Sequence, residues 1–181
     1  MRRVKLDNRA NRGRSFEELI ELANAQYRAR GVAVVHKVPT AWLPLRDGEG
    51  RIRSAKVEQK AAVDFLGTYR GRPIAFDAKH CSADRVRWDR VEPHQAEFLT
   101  DWMNGGGVSF ILVGFQMSRF FLVPWGAWLR ALTDQAKSRR ASIGWRELAA
   151  EHPEWQIPMG GHVVLDYLVV IDRLIAGEGV A

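Results

Sequence analysis

The sequence lacks several features that define large classes of protein. Its single cysteine, Cys81, excludes a disulfide framework and a cysteine-rich zinc site, and it fits a reducing, cytosolic compartment. No apolar run approaches the ~20 residues that a helix needs to cross a bilayer. No apolar segment follows the basic residues 1–5, so the sequence predicts no signal peptide. A cytoplasmic protein that does not enter membranes is therefore expected.

Acidic residues are also fewer than basic ones, 21 against 27, which gives a net charge of +6. A basic balance favours an anionic partner, either nucleic acid or an anionic membrane surface. A single basic cluster is explained equally well as a solvated face. Here the basic residues form three clusters around one group of acidic residues. This arrangement favours nucleic acid as the partner. The residues predicted to contact DNA are Arg12, Arg14, Lys37, Arg46, Arg51, Arg53, Lys56, Lys60, Arg85 and Arg87.

The apolar patterning predicts one α/β domain over residues 1–181, with a mixed central β-sheet flanked by helices. Residues 1–10 are expected to form a flexible basic arm. Residues 40–57 are rich in turn-forming and basic residues, and they predict either a long hairpin or a projecting loop. Strands are predicted at 32–38, 62–68, 73–79, 108–115 and 120–123, and helices at 15–31, 94–103, 124–131 and from 145.

Two acidic residues and a lysine lie where two neighbouring strands begin or end. Asp64 lies near the beginning of one predicted strand, and Asp77 and Lys79 lie at the end of the next. Residues two apart on a strand point to the same face. Two carboxylates that share a Mg²⁺ ion, with the backbone carbonyl of Ala78 as a further ligand, suit phosphodiester hydrolysis. The plain alternative for Asp77 and Lys79 is a surface ion pair.

Two further residues are candidates for the same site. Glu17, in the first turn of the N-terminal helix, is the predicted third acid, although Glu18 competes for that role and a helix-dipole carboxylate is the simpler explanation. Gln95 is predicted to face the same sheet edge from its helix and to support catalysis. The histidines at 36, 80 and 94 match no metal-binding spacing.

An ordered set of motifs spread over nearly the whole chain resembles the RecU-type Holliday junction resolvases, members of the restriction-endonuclease-like PD-(D/E)xK superfamily. The motifs are Asn11-Arg12-Gly13-Arg14-Ser15-Phe16-Glu17, His36-Lys37-Val38-Pro39-Thr40, Val63-Asp64-Phe65, Phe76-Asp77-Ala78-Lys79 and His94-Gln95, and weaker similarity continues at 109–115, 139–143 and 165–168. The resemblance implies a restriction-endonuclease-like fold. It also implies a homodimer that binds four-way DNA junctions and makes paired symmetric nicks with Mg²⁺ or Mn²⁺.

The resemblance also assigns roles to residues. Glu17, Asp64 and Asp77 would be acidic site residues, Lys79 would be catalytic and Gln95 would support it. A stalk that enters the junction would occupy residues 41–60. The family usually has Glu at the position of Asp77, and acidic residues dilute the charge of this stalk.

The leading hypothesis is therefore a metal-dependent Holliday junction resolvase acting in recombination and repair or in phage DNA processing, inside a bacterial cell or a phage-infected host. Two other hypotheses stay open. One is a restriction-like or repair endonuclease that acts on duplex DNA. The other is a non-catalytic DNA-binding module whose acidic residues are structural.

Overall fold

The structure, a computed structural model, describes residues 15–59, 61–138 and 140–178. It confirms a mixed sheet flanked by helices. The helices are α1 (Phe16–Ala29), α2 (Pro93–Asn104), α3 (Trp125–Ser138), α4 (Trp145–Glu151) and α5 (Leu168–Glu178). The strands are β1 (Ala33–Lys37), β2 (Ala41–Arg46), β3 (Ile52–Gln59), β4 (Phe65–Tyr69), β5 (Arg72–Cys81), β6 (Arg85–Arg87), β7 (Val108–Phe115), β8 (Arg119–Pro124) and β9 (Ser142–Gly144).

The central sheet has five strands in the order β1-β4-β5-β7-β8. Its pairs are antiparallel except β5 and β7, which run parallel. The rings of Phe65, Phe76 and Phe110 stack across β4, β5 and β7, with centroids 4.9 and 4.7 Å apart. This stack fixes the three strands against one another beside the candidate site. One face packs on α1 and α5, and the other on α2 and α3.

The first helix forms as its sequence predicts. Ser15 caps it: the hydroxyl accepts from the Glu18 amide at 3.2 Å, and the Glu18 carboxylate accepts from the Ser15 amide at 2.8 Å. Gly31 follows the helix with φ +65°, a conformation that L residues rarely adopt. Because its carboxylate closes the cap, Glu18 does not compete with Glu17 for the candidate site.

Residues 41–59 form a hairpin, which is the first of the two predicted alternatives. Strands β2 and β3 pair antiparallel in a sheet of their own. In the turn, the Asp47 carboxylate accepts from the amides of Glu49 and Arg51 at 2.9 and 3.0 Å. The described side chains along the hairpin are exposed except that of Asp47, which is half-buried. We call residues 41–59 the stalk hairpin. Residue 60, and the predicted arm at 1–10, lie outside the described residues.

Three elements differ from the sequence prediction. Helix α3 continues to Ser138 instead of ending near residue 131, and β6 pairs with β9 from far along the chain. The sequence prediction names no helix after the one that begins at residue 145, but α5 spans Leu168–Glu178. Its buried residues Leu168, Val170 and Ile171 pack under the sheet, which stabilises the helix by tertiary contact. Within the described ranges, no helix is long and apolar enough to cross a membrane.

Gly67 is a point of close contact between β1 and β4. An added Cβ would lie 2.3 Å from the Val34 carbonyl oxygen and 2.7 Å from Val35 Cα, both backbone atoms that cannot move independently. We therefore expect Gly67→Ala to lower the free energy of unfolding by about 3 kcal/mol. Urea unfolding followed by circular dichroism measures this change. Gly48→Ala is the matched control, since nothing lies within 4 Å of a Cβ there. Equal stabilities of the two variants would contradict the close contact.

Candidate active centre

Asp77 and Lys79 lie on the buried central strand β5, on the face that packs against α2. Strand alternation places both side chains there, together with Ala75 and Cys81 of the same apolar cluster. Asp77 is fully buried, and the Lys79 side chain is 13% exposed. Such burial is rare for an aspartate unless it has partners, so the pair is not an ordinary surface ion pair.

Asp77 has two partners that hold its carboxylate in one orientation. Its Oδ1 accepts a hydrogen bond from Gln95 Nε2 at 2.7 Å, and its Oδ2 contacts the Lys79 ammonium. Lys79 Nζ also donates to Gln95 Oε1 at 3.3 Å. Gln95 is fixed in turn, because its Oε1 accepts from the Glu92 amide at the start of α2 at 3.1 Å. The structure thus brings together three of the predicted site residues in one closed set of contacts.

Asp64 joins the same centre from the start of β4. Its Oδ2 accepts from the Ala78 amide at 2.8 Å, and its carbonyl accepts from the Val38 amide at 2.8 Å. The hydrogen bond from the Ala78 amide places the Asp64 carboxylate beside that of Asp77. Burial raises the pKa of Asp77 to about 7, and the neighbouring Asp64 charge contributes to that rise while Lys79 opposes it.

These oxygens fit a hard divalent cation. Asp77 Oδ2 is buried beside the Asp64 carboxylate and contacts the Lys79 ammonium, so a cation bound by the two carboxylates would share this oxygen with Lys79. Mg²⁺ is usually held by one or two carboxylates, with water and substrate phosphate as the other ligands. Among the described residues, no group of three His, Cys, Asp or Glu side chains is arranged to hold a metal ion. Asp64, Asp77 and the Ala78 carbonyl would therefore form the protein's share of such a site.

Glu17, the predicted third acid, lies next to this centre but is not part of its described contacts. Its carboxylate contacts Lys37 Nζ at 2.6 Å, and Lys37 also contacts Glu21 at 3.2 Å. Glu17 nevertheless lines a cavity of about 200 Å³ together with Ala78 and His80. Its role as a metal ligand stays a prediction, because the described contacts pair it with lysine.

Most of the described residues that are predicted to contact DNA form ion pairs with acidic side chains. Exposed ion pairs of this kind are weak and screened by salt, so a phosphate can replace the carboxylate. Arg12, Arg14 and Lys60 lie outside the described residues, Lys56 is exposed, and Arg46 donates to the Gly50 carbonyl at 2.8 Å. The pairs are Lys37 with Glu17 and Glu21, Arg51 with Glu49, Arg53 with Asp47, Arg85 with Glu147, and Arg87 with Asp89.

One supporting residue was not singled out from the sequence. Arg90 donates to the His80 carbonyl at 2.7 Å and contacts Cys81 Sγ at 3.3 Å, and so it holds the end of β5 just beyond Lys79. Its position in a run of basic residues gave no signal of this role. His94 Nε2 lies 3.2 Å from the Ala61 carbonyl oxygen. This structural contact joins α2 to the segment just before Asp64.

The raised pKa of Asp77 predicts a pH dependence of stability in metal-free buffer. The folded protein holds this proton more tightly than the unfolded chain, whose carboxyl titrates near 3.8. The resulting stabilisation is complete below that pH and is lost as the pH rises to about 7, by about 1.4 kcal/mol per pH unit. The difference between wild type and Asp77→Asn, from urea unfolding in EDTA at several pH values, should show this slope. A difference that does not vary between pH 4 and 7 would contradict a buried, proton-binding Asp77.

Comparison with known proteins shows which proteins this chain resembles. The family model described as Recombination protein U matches residues 11–173. The Holliday junction resolvase RecU of Geobacillus thermodenitrificans is 31% identical over 172 residues, which cover 91% of this chain and 85% of that protein. The Holliday junction resolvase RecU of Limosilactobacillus reuteri is 31% identical over 177 residues, 93% and 85% of the two chains.

A solved structure also matches this chain in part. It is the Holliday junction resolvase Hjc of Archaeoglobus fulgidus, with a TM-score of 0.37 and 12% identity over 61% of this chain and 73% of that one. A similarity this low bears on neither fold nor function.

Proposed function

The chain belongs to the RecU (Recombination protein U) family, and we propose from this premise that it is a metal-dependent endonuclease that resolves four-way DNA junctions in recombination. The observation that carries the proposal is the contact set of Asp64, Asp77, Lys79 and Gln95, where β4 begins beside β5. A buried, mutually positioned pair of carboxylates with a lysine is suited to phosphodiester hydrolysis and has no evident purpose in a binding module.

Each residue has a distinct task in this proposal. Asp64, Asp77 and the Ala78 carbonyl would hold Mg²⁺ or Mn²⁺, which when bound would supply a Lewis acid for phosphodiester hydrolysis. Lys79 places a positive charge beside the scissile phosphate, where negative charge grows in the transition state. Gln95 fixes the positions of the Asp77 and Lys79 side chains relative to each other, because it contacts both of them. Because these contacts already hold the side chains in place, the side chains need little rearrangement during the reaction.

The raised pKa of Asp77 fits this assignment. A carboxylate that keeps its proton in the absence of a cation becomes a ligand only when the cation displaces the proton. Metal loading should therefore release a proton near neutral pH and weaken as the pH falls below about 7. Lys79 opposes protonation of Asp77, and so it favours the charged form that binds the cation.

We propose that the stalk hairpin supplies the preference for branched DNA. Its arginines at 46, 51 and 53 are exposed, and their partners among the described residues are a backbone carbonyl and neighbouring acids. At a junction, phosphates of four strands converge, and a projecting basic strand pair neutralises them by exchanging its carboxylate partners for phosphates. The exchange should make binding depend steeply on salt.

We also propose a homodimer. One chain carries one such active centre, whereas resolution of a four-way junction needs two nicks in symmetry-related strands. A closed twofold dimer presents two centres in that relation. Analytical ultracentrifugation with and without junction DNA measures the stoichiometry directly.

The test of the function uses end-labelled four-way junction, linear duplex and single strand of the same sequence, each with Mg²⁺. The proposal expects paired nicks at symmetric positions of the junction and little cleavage of the other substrates. Cleavage of linear duplex at a comparable rate would favour a restriction-like or repair nuclease. Binding of the junction without cleavage in Mg²⁺ or Mn²⁺ would overturn both enzymatic assignments.

A further inference from the structure

Two arginines lie over one tryptophan at the edge of the central sheet where β5 and β7 end. The guanidinium carbon of Arg146 lies 4.4 Å from the centroid of the Trp145 ring, and that of Arg119 lies 5.2 Å from it. Both arginines are exposed, and the tryptophan is half-buried against the apolar cluster on the α2 and α3 face of the sheet. We call Arg119, Trp145 and Arg146 the arginine–tryptophan platform.

Asp84 holds two members of the platform in place. Its Oδ1 accepts a hydrogen bond from the Trp145 indole nitrogen at 3.2 Å, and its Oδ2 accepts from Arg146 Nη1 at 3.0 Å. The Asp84 carbonyl also accepts from the Trp145 amide at 3.0 Å. Asp84 lies between β5 and β6, and the pairing of β6 with β9 brings Trp145 to it. The ring is therefore fixed relative to β5, the strand that carries Asp77 and Lys79.

The turn between β7 and β8 positions Arg119. Gln116 and Met117 both have φ of +51°, a left-handed conformation that residues other than glycine rarely adopt. Gln116 fastens the turn, because its amide donates to the Cys81 carbonyl at 2.7 Å and its side chain donates to Asp84 Oδ1 at 2.9 Å. Strained backbone of this kind persists where neighbouring contacts fix it. The Asp84 carboxylate therefore joins this turn to the other two members of the platform.

The platform lies on the same face of the sheet as the active centre. Strand alternation places Arg119 on the face of Phe121. Phe121 packs in the same apolar cluster as Cys81, which shares its face of β5 with Lys79. Arg119 pairs with Phe115 and Phe115 pairs with Cys81, so the usual strand spacing and rise place the Cα atoms of Arg119 and Lys79 about 12 Å apart. The grooves of B-DNA are about 6 and 12 Å wide, so one duplex can contact both residues through different phosphates.

The active centre lies between the platform and the stalk hairpin. In the strand order β1-β4-β5-β7-β8, the hairpin is inserted between β1 and β4, and Arg119 of the platform begins β8. Lys37 pairs with Phe65 where the chain leaves β1 and returns in β4, and Phe65 pairs with Phe76 beside Asp77. The hairpin and the platform therefore adjoin the same edge of the sheet, on opposite sides of β5.

The platform carries two guanidiniums beside one carboxylate. Arg119 donates to the Ser118 carbonyl at 3.1 Å, and none of its contacts among the described residues is with an acidic side chain. Arg146 shares Asp84, but its side chain is 71% exposed, and an exposed ion pair of this kind is weak. A guanidinium that lies over an aromatic ring keeps N–H groups available for phosphate oxygens. The platform is thus a positively charged surface, held in place by the fold, that matches a phosphate backbone.

We propose that the arginine–tryptophan platform binds the phosphate backbone of the duplex arm that extends from the scissile phosphate, on the side away from the stalk hairpin. The inference rests on the proposed nuclease function for the identity of the partner. Contacts to phosphates form with every duplex and carry no sequence information. The platform therefore contributes affinity for any DNA arm, whereas the hairpin contributes the preference for a junction.

The test measures binding of labelled four-way junction and of linear duplex by fluorescence anisotropy in EDTA, where no metal-dependent cleavage occurs. The double variant Arg119→Gln with Arg146→Gln should bind both substrates roughly tenfold more weakly, with an unchanged ratio between them. The slope of log K against log salt should become shallower by about 1.8, the value for two lost phosphate contacts. Arg173→Gln is the matched control, since it removes an exposed arginine of α5 that also donates to a backbone carbonyl, at 3.3 Å. It should leave both affinities unchanged.

A second measurement locates the contact on the DNA. Single phosphates along one arm are replaced by uncharged methylphosphonates at increasing distance from the branch point. The wild type should lose affinity at one or two positions of the arm, and the double variant should lose no further affinity at those positions. Equal losses by both proteins at every position would contradict a contact between the platform and the arm.

The proposal would also be overturned by unchanged binding of the double variant, by an equal loss in Arg173→Gln, or by a loss confined to the four-way junction. Urea unfolding checks that the double variant keeps the wild-type stability. If it does not, the single variant Arg119→Gln, which breaks none of the described ion pairs, should still reduce the salt slope by about 0.9. Because binding is measured without cleavage, a chain that binds DNA at the platform but never cuts it would refute the nuclease and leave the platform standing.

Discussion

Asp77→Asn is expected to lower the rate of junction cleavage by roughly 10³-fold, while junction binding stays within about threefold of wild type. The amide keeps the shape of the carboxylate, and its oxygen can still accept from Gln95 Nε2, a contact of 2.7 Å in the wild type. It removes the negative charge that would hold a cation and balance Lys79. Binding should persist because exposed arginines and lysines, rather than this buried residue, provide the affinity.

Single-turnover cleavage in Mg²⁺ and gel-shift binding in EDTA separate the two effects. Asp101→Asn makes the same chemical change at an exposed position on α2, the helix that carries Gln95, and it should leave both values unchanged. Wild-type cleavage by Asp77→Asn would exclude Asp77 from the reaction. A parallel loss of binding and cleavage would instead indicate a general structural defect.

Shortening the stalk hairpin is expected to reduce junction cleavage by roughly 100-fold and to abolish the preference for junction over duplex. Replacing residues 44–55 by Asn-Gly joins Leu43 to Lys56, which pair across the hairpin, through a tight turn. The change removes the arginines at 46, 51 and 53. For each phosphate that the shortened chain no longer neutralises, the slope of log K against log salt should fall by about 0.9.

The catalytic residues are untouched in this variant, so it should keep the pH-dependent stability that Asp77 confers. Ile52→Ser retains the full hairpin and its charges, and it serves as the control for changes in exposed apolar surface, since Ile52 is 61% exposed. Unchanged junction preference after shortening would show that the preference arises elsewhere on the chain. Loss of the Asp77 pH dependence would show instead that the deletion disturbs the centre.

The central part of the candidate site could be predicted from sequence because it depends on local rules. The two-residue spacing of Asp77 and Lys79 on a strand places them on one face, and the structure confirms this placement. Asp64, one residue before β4, reaches the Ala78 amide because β4 and β5 are adjacent hairpin strands. Gln95 was correctly predicted to face this centre, since its helix follows directly and packs on the same face of the sheet.

Features that depend on distant contacts could not be predicted. The pairing of Glu17 with Lys37 joins α1 to β1 in space, and nothing in either segment alone specifies it. Arg85 and Ser142 lie 57 residues apart and bond across β6 and β9. The apolar segment 165–172, which includes the first residues of α5, is too short for periodicity to distinguish a buried strand from a helix, and packing under the sheet determines its helical form.

Binding of Mn²⁺ tests the central claim most directly, because Mn²⁺ is paramagnetic and the free ion gives a strong electron paramagnetic resonance signal. Titration of the wild-type chain without DNA should show Mn²⁺ bound at Asp64 and Asp77, with binding that weakens below about pH 7 as Asp77 holds its proton. Asp64→Asn and Asp77→Asn should each lose this binding, and Asp101→Asn should keep it. Equal Mn²⁺ binding by wild type and both site variants would contradict a metal centre at these two carboxylates.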